Sequence, residues 1–331
     1  MGSMRPAHCQ TNLRVQANIY RAGDGAGPTY QLVLLSPAIL APLDSHKTQK
    51  SLNPEITEMT TQDITTGFTA VDQTSDPEFF VRLLDEAGNL DSIQECKHKM
   101  LKLLDPQKGH RILDVGCGAG EDVMALARLV GSEGLVTGVD KSDTMITECK
   151  KRSANSGLPV AWVLGDVESL DFADDTFDSC RAERIFGHID DPRNPLAEMI
   201  RVTRPGGRIV IYALDVDAFI FNGADRALNR KVVHALCDSF RNGWSGRQLP
   251  GMVRSSGLVD TFIIPHTIIT PLTTLMMGME GVLERLQEDG VLTNDEISRW
   301  RQQLEEADLK GSFFAASPGF FIGGRKPFKE E

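Results

Sequence analysis

Ile112-Leu-Asp114-Val-Gly116-Cys-Gly118-Ala-Gly120-Glu-Asp122 is the stretch whose reading decides the fold class. An apolar run at 111–115 reads as a short strand, and the pattern from 120 to 130 reads as a helix. Between them, a glycine at every second position lets the backbone come within contact distance of a ligand. The start of the following helix offers that ligand free N–H groups. A dinucleotide fold spaces its glycines G-x-G-x-x-G. Here the third glycine comes one residue early, which weakens a nicotinamide or flavin reading.

The alternation continues outward from that loop. Apolar runs at 134–139, 160–164, 176–181 and 208–214 are interleaved with helical patterns at 142–156 and 195–202. This order predicts a doubly wound α/β fold, a parallel sheet with helices on both faces and ligands outside the carboxyl ends of its strands. Upstream, Asp76-Pro77 has the N-cap and first-turn proline of a helix start, and a second helix is expected over 91–104. Downstream come a helical segment at 224–241, a loop at Asn242-Gly-Trp244-Ser-Gly-Arg247 and an apolar run at 259–270. Two further helices are expected at 273–288 and 294–307, then a last strand at 312–323. Thr293 and Glu296 stand at capping-box spacing before the second of these helices.

Four more landmarks follow the glycine loop. Asp140 closes the second strand, where a carboxylate can accept both ribose hydroxyls of a bound nucleoside. Gly165-Asp166-Val167 follows the third strand. Phe177-Asp-Ser-Cys180-Arg181-Ala-Glu183-Arg-Ile-Phe-Gly-His188 spans the fourth, and Arg204-Pro-Gly-Gly-Arg208 looks like the turn into the fifth. In this order the chain, over about residues 68–327, resembles the class I S-adenosylmethionine-dependent methyltransferases. Through Leu113-Asp-Val-Gly-Cys-Gly118 and Arg201-Val-Thr-Arg-Pro-Gly-Gly207 it looks most like their small-molecule branch, related to the ubiquinone and menaquinone C-methyltransferases. It departs from that branch in a long N-terminal arm and an insertion at about 271–309, so the quinone substrate itself does not carry over.

The resemblance implies a mostly parallel, seven-stranded Rossmann-like sheet with an antiparallel last strand beside the fifth, an N-terminal helical lid and inserted cap helices. It implies S-adenosylmethionine as cofactor and S-adenosylhomocysteine as product. The implied cofactor contacts are Phe68, Asp114, Gly116, Cys117, Gly118, Gly120, Asp140, Lys141, Ser142, Met145, Gly165, Asp166, Val167 and Arg181. Phe68, Val71 and Asp72 are where the chain is expected to fold over the cofactor. His188, just past the fourth strand, has an ordinary pKa of about 6.5, which suits a general base for a hydroxyl or enol acceptor. Local packing or capping is the competing role for this side chain. Glu183 and Asp190 are alternative bases. On the substrate side the candidates are Asp215, Asp217, Trp244, Arg247 and Met276.

Composition sets the outer limits. At roughly 100–200 residues per domain, 331 residues allow one large domain or two modest ones. The motif order favours an arm over 1–66 and one methyltransferase domain over 67–331. Lys plus Arg number 35 against 46 Asp plus Glu, a net charge of −11 that disfavours nucleic acid as a partner. Part of that acidity, at Asp114, Asp140, Asp166 and Asp217, is expected to surround a cationic sulfonium. The six cysteines are scattered, with no metal-ligand spacing, and read as reduced thiols of a cytoplasmic protein. No apolar run reaches the roughly 18–20 residues that span a bilayer. The expected partner is a small molecule, and the expected state is a monomer or homodimer.

The function expected is methyl transfer to a small, largely apolar organic acceptor, a specialised metabolite or a quinone-like or phenolic compound. Alignment and exclusion of water would do most of the work. A cyclase or isomerase on the same fold and cofactor site is the alternative. RNA or protein methylation is less favoured, because Ala182-Glu-Arg-Ile185 stands where an amide-binding N-P-P-Y-type tetrad would be.

Overall fold

A computed structural model describes residues 62–328. Of the arm expected over 1–66, only 62–66 fall among the described residues. Three helices come first: α1 (Ile64–Gly67), α2 (Pro77–Gly88) and α3 (Asp91–Leu104). The sheet is then laid down as β1 (Arg111–Val115), α4 (Glu121–Val130), β2 (Leu135–Asp140), α5 (Asp143–Ser153), β3 (Val160–Leu164), β4 (Phe177–Glu183), α6 (Arg193–Val202) and β5 (Thr203–Leu214). The chain continues through β6 (Ile220–Phe221), α7 (Arg226–Ser239), α8 (Ser245–Ser255), β7 (Val259–Ile269), α9 (Leu272–Glu288), α10 (Asn294–Leu309) and β8 (Ala315–Arg325).

The strands run in the order β3-β2-β1-β4-β5-β8-β6, with β7 also paired to β8. The five from β3 to β5 are parallel, and β8 is antiparallel to β5, β6 and β7. Central β1 buries Ile112 through Val115 without a break, as a strand covered on both faces must. Asp76 caps α2 by accepting from the Phe79 amide at 3.1 Å, and the helix buries Phe79, Phe80, Val81 and Leu83. Ser142 caps α5, and Thr293 with Glu296 forms the reciprocal capping box of α10. One apolar core lies between the sheet and α6 and α8, another between the sheet and α3 and α4. A separate core joins α7, α9 and α10 around buried Trp300.

Three features depart from the sequence expectation. The sheet has eight strands rather than seven, because Ile220 and Phe221 pair briefly with Ala316 and Ala315. Strand β5 begins at Thr203 and so takes in the turn expected at 204–208, because Gly206 and Gly207 bond the backbone of Lys326 beyond β8. The expected loop at 242–247 gives way after three residues to α8. Gly246, Pro250 and Gly251 disfavour a helix there, and Pro250 forfeits a backbone donor. Packing overrides propensity, since Leu249 and Val253 disappear into the core beside Ile209 and Ile211. No described helix is long and apolar enough to cross a membrane.

Candidate active site

The carboxyl ends of β1, β2 and β4 converge on a cavity of about 360 Å³. At its floor Gly116 and Gly118 take positive φ, as does Gly120 just beyond it, and a Cβ on Gly116 would stand 2.3 Å from the Ile185 side chain. The Gly116 and Cys117 amides donate to the Val139 carbonyl at 2.8 and 3.0 Å, tying the loop to β2. Asp140 finishes the tie: one carboxylate oxygen accepts from the Gly118 amide at 2.9 Å and the other from Ser142 at 3.0 Å. Burial raises the pKa of Asp140, and these amides pull it back in part.

Thirteen of the expected residues line this cavity, Val71 and Asp190 among them. Gly116, Gly118, Asp140, Lys141, Met145, Gly165, Asp166 and Val167 form one end. Phe68, Glu183 and His188 stand at the other, with Ile64, Arg184, Ile185, Leu214, Val216, Phe240 and Arg241, none of which the sequence singled out. The missed residues had a readable signal. Leu214 and Val216 are apolar residues at the carboxyl end of β5, where ligands of such a sheet sit, and both line the cavity, whereas Asp215 and Asp217 do not.

The substrate candidates are gathered elsewhere. Arg247 donates to Asp215 at 2.6 Å and to Asp217 at 3.0 Å, and its guanidinium lies 4.8 Å over the Trp244 ring. Met276 packs against the core of α7, α9 and α10. None of these five lines the cavity. Asp114 and Arg181 also lie behind it, in a buried cluster beside a smaller cavity of about 80 Å³ that Cys117 and Gly120 line. Arg181 reaches Asp114 at 3.3 Å, Asp122 at 3.0 Å and Glu183 at 2.5 Å. Burial pushes Asp114 up to about 7 despite that cation, whereas Arg181 and Lys97 overcome burial to hold Asp122 at about 2. With Asp114 paired to Arg181 and Asp217 to Arg247, only Asp140 and Asp166 of the four expected acidic residues face the cavity.

Glu183 has its charge shared between Arg181 and Arg184. His188 sits between Phe68 and Phe240, with ring centroids 5.5 and 5.3 Å away. Burial pushes its pKa down to about 4, opposed by a hydrogen bond to the Thr65 backbone and aided by Lys141, Arg184 and Arg241. Its Nδ1 has no hydrogen-bond partner. The Cys117 thiol is held protonated by a hydrogen bond with Cys149 and by burial, and Cys180 by burial, so both behave as packing residues. Among the described residues no group of His, Cys, Asp and Glu is arranged to hold a metal ion.

Ser142 contributes from outside the wall. Its hydroxyl donates to Asp72 at 2.8 Å, and Asp72 also accepts from the Asp143 and Thr144 amides at 2.8 and 3.0 Å. Burial works against the Asp72 charge, but these donors hold its carboxyl below the usual range. Asp72 thus pins the segment bearing Phe68 and Val71 onto the α5 N-terminus. Asp72→Ala should cost about 1–2 kcal/mol, as the loss of a helix cap does. In hydrogen exchange, amides of residues 64–74 should open faster while those of β1 and β4 keep their protection.

A family model described as a methyltransferase domain matches residues 106–304. An uncharacterized 37.1 kDa protein in transposon TN4556 of Streptomyces fradiae is 34% identical over 241 residues, 71% of this chain and 68% of that one. The ubiquinone/menaquinone biosynthesis C-methyltransferase UbiE of Bdellovibrio bacteriovorus is 32% identical over 115 residues, 35% of this chain and 48% of that protein. Other matches to named methyltransferases span from about half of those proteins to 89% of the demethylmenaquinone methyltransferase of Anoxybacillus flavithermus, which is 29% identical. Among solved structures, phosphoethanolamine N-methyltransferase 2 of Haemonchus contortus, in complex with phosphomonomethylethanolamine and S-adenosylhomocysteine, superposes with a TM-score of 0.52 at 17% identity. That superposition covers 78% of this chain and 60% of the other. The [4+2]-cyclase SpnF superposes with a TM-score of 0.51 at 17% identity, over 82% of this chain and all of the other. At such identities these two establish the fold alone.

Proposed function

The chain belongs to the class I S-adenosylmethionine-dependent methyltransferases, and from that membership we propose that it methylates a small, largely apolar organic acceptor held at the His188 end of the cavity. S-adenosylmethionine supplies a methyl group already activated on a sulfonium, so the protein has to bind, orient and dry the reacting atoms. The residues present fit that cofactor, since Asp140, Gly116 and Gly118 all line the open space and two positive-φ glycines leave it unobstructed by a Cβ. By the family pattern Asp140 takes the ribose, and Asp166 with Val167 takes the adenine. At the other end Ile64, Phe68, Ile185, Leu214, Val216 and Phe240 offer carbon surface to an acceptor. This wall supports an apolar body such as a phenol or hydroquinone.

One observation carries the assignment of His188: its Nδ1 is unpartnered in the wall between two aromatic rings. With a pKa of about 4 the ring, which lines the cavity, is neutral at physiological pH. So weak a base adds modestly, which leaves alignment and water exclusion as the main sources of rate. Incubation with S-adenosylmethionine and a panel of phenols and hydroquinones should yield a product heavier by one methyl group, with equimolar S-adenosylhomocysteine. His188→Asn should then lower turnover by about 100-fold, the low end of general-base contributions, with cofactor affinity unchanged. A second reading, cyclisation at the same site without methyl transfer, draws on the likeness to SpnF. An isomer of unchanged mass, formed with the cofactor intact, would favour it.

A further inference from the structure

Asp215 and Asp217 alternate with two residues that line the acceptor end of the cavity. Leu214 closes β5, Val216 opens the short turn at Val216–Ala218, and Asp215 stands between them. The backbone of this stretch is tied on both sides. The Asp215 amide donates to the Pro318 carbonyl of β8 at 3.0 Å, and the Val216 amide donates to the Gly243 carbonyl at 2.9 Å. Helix α8 presses on the same stretch, since a Cβ on Gly246 would stand 2.8 Å from both the Asp215 nitrogen and the Leu214 carbonyl carbon. A larger residue there must displace the wall.

One side chain of α8 fastens it. Arg247, in the first turn, donates to both oxygens of Asp215 and, with its other terminal nitrogen, to Asp217 at 3.0 Å. A forked pair of this kind fixes orientation as well as distance. A cation in the first turn of a helix is unfavourable by itself, and the two carboxylates offset it. The Asp215 side chain is 6% exposed, so without Arg247 it would be a buried charge that has lost its counter-ion. Such a group must take up a proton or move, and Leu214 and Val216 are bonded directly to it.

We propose that Arg247 is a positioning residue for the acceptor: through Asp215 and Asp217 it locks Leu214 and Val216 into the cavity wall, and so sets the size of acceptor that fits. The polar cluster thus governs acceptor shape without touching the acceptor. Asp215, the buried partner, carries more of this hold than the partly exposed Asp217. The proposal rests on the reading of this end of the cavity as the seat of the acceptor.

The test is methylation, by the full-length protein, of 4-alkylphenols whose chains run from methyl to heptyl. In Arg247→Met the ratio of kcat/KM between the best and the worst phenol should shrink by about tenfold, the scale of one methylene in a fitted pocket. Affinity for S-adenosylhomocysteine should stay at the wild-type value. Asp215→Asn should behave like Arg247→Met, Asp217→Asn should fall between it and wild type, and Arg247→Lys, which cannot fork, should recover part of the ratio. A general loss of stability would lower every phenol alike and leave the ratio unmoved. An unmoved ratio in folded Arg247→Met and Asp215→Asn would overturn the proposal. If the wild-type protein methylates no phenol of the series, the acceptor class falls instead, and hydrogen exchange judges the lock. A Val216 amide that then opens faster in Arg247→Met, with the Gly116 and Cys117 amides still protected, would uphold it, and an unchanged Val216 amide would overturn it.

Discussion

Arg181→Met should lower the unfolding free energy by about 3–5 kcal/mol, the usual cost of removing one member of a buried ion-pair cluster. The guanidinium is 2% exposed and lies among Asp114, Asp122 and Glu183, carboxylates drawn from β1, α4 and β4. Methionine fills similar space and leaves three acids without their shared cation. Such acids take up protons in the folded state at a pH where the unfolded chain has released them. The folded variant then binds more protons than the unfolded chain, so its stability falls as pH rises from about 4 to 8. Denaturant titrations should show a deficit that is larger at pH 8 than at pH 5. A constant deficit would mean that lost packing, not charge, is the cause.

Asp140→Ala should weaken S-adenosylhomocysteine binding by at least about 100-fold in calorimetry. Two hydrogen bonds to an ionised acceptor, at about 1.5–3 kcal/mol each, set that scale. The variant also frees the Gly118 and Ser142 amides, so the loop loses its tie to β2. Asp140→Asn keeps one acceptor oxygen for those amides and should bind better than the alanine variant while remaining weaker than wild type. Unchanged affinity in both would remove Asp140 from the cofactor site.

Much of this arrangement is legible in the chain itself, because it depends on local signals. The glycine loop between an apolar run and a helical pattern, Asp76-Pro77, and Thr293 with Glu296 each act within a few residues, and each forms the expected structure. The antiparallel last strand followed from the family resemblance and is observed as β8. Helix α8 was hidden because its local propensity opposes the packing that decides it. The partners of Arg181 were hidden for a different reason: Asp114 lies 67 positions away, and only strand register brings the two together. The pKa of His188 is a property of its neighbours, Phe68 and Phe240, which no spacing rule connects to it. At the substrate end, polar residue types drew attention to Asp215, Asp217 and Arg247, which satisfy one another instead.

A crystal structure of the protein with S-adenosylhomocysteine bound would show at once whether this cavity holds the cofactor. The ribose hydroxyls should lie on the Asp140 carboxylate, the adenine beside Asp166 and Val167, and the sulfur should open toward the space between His188, Phe68 and Phe240. A ligand seated outside this cavity, or a sulfur turned away from His188 toward the Arg181 cluster, would contradict this placement.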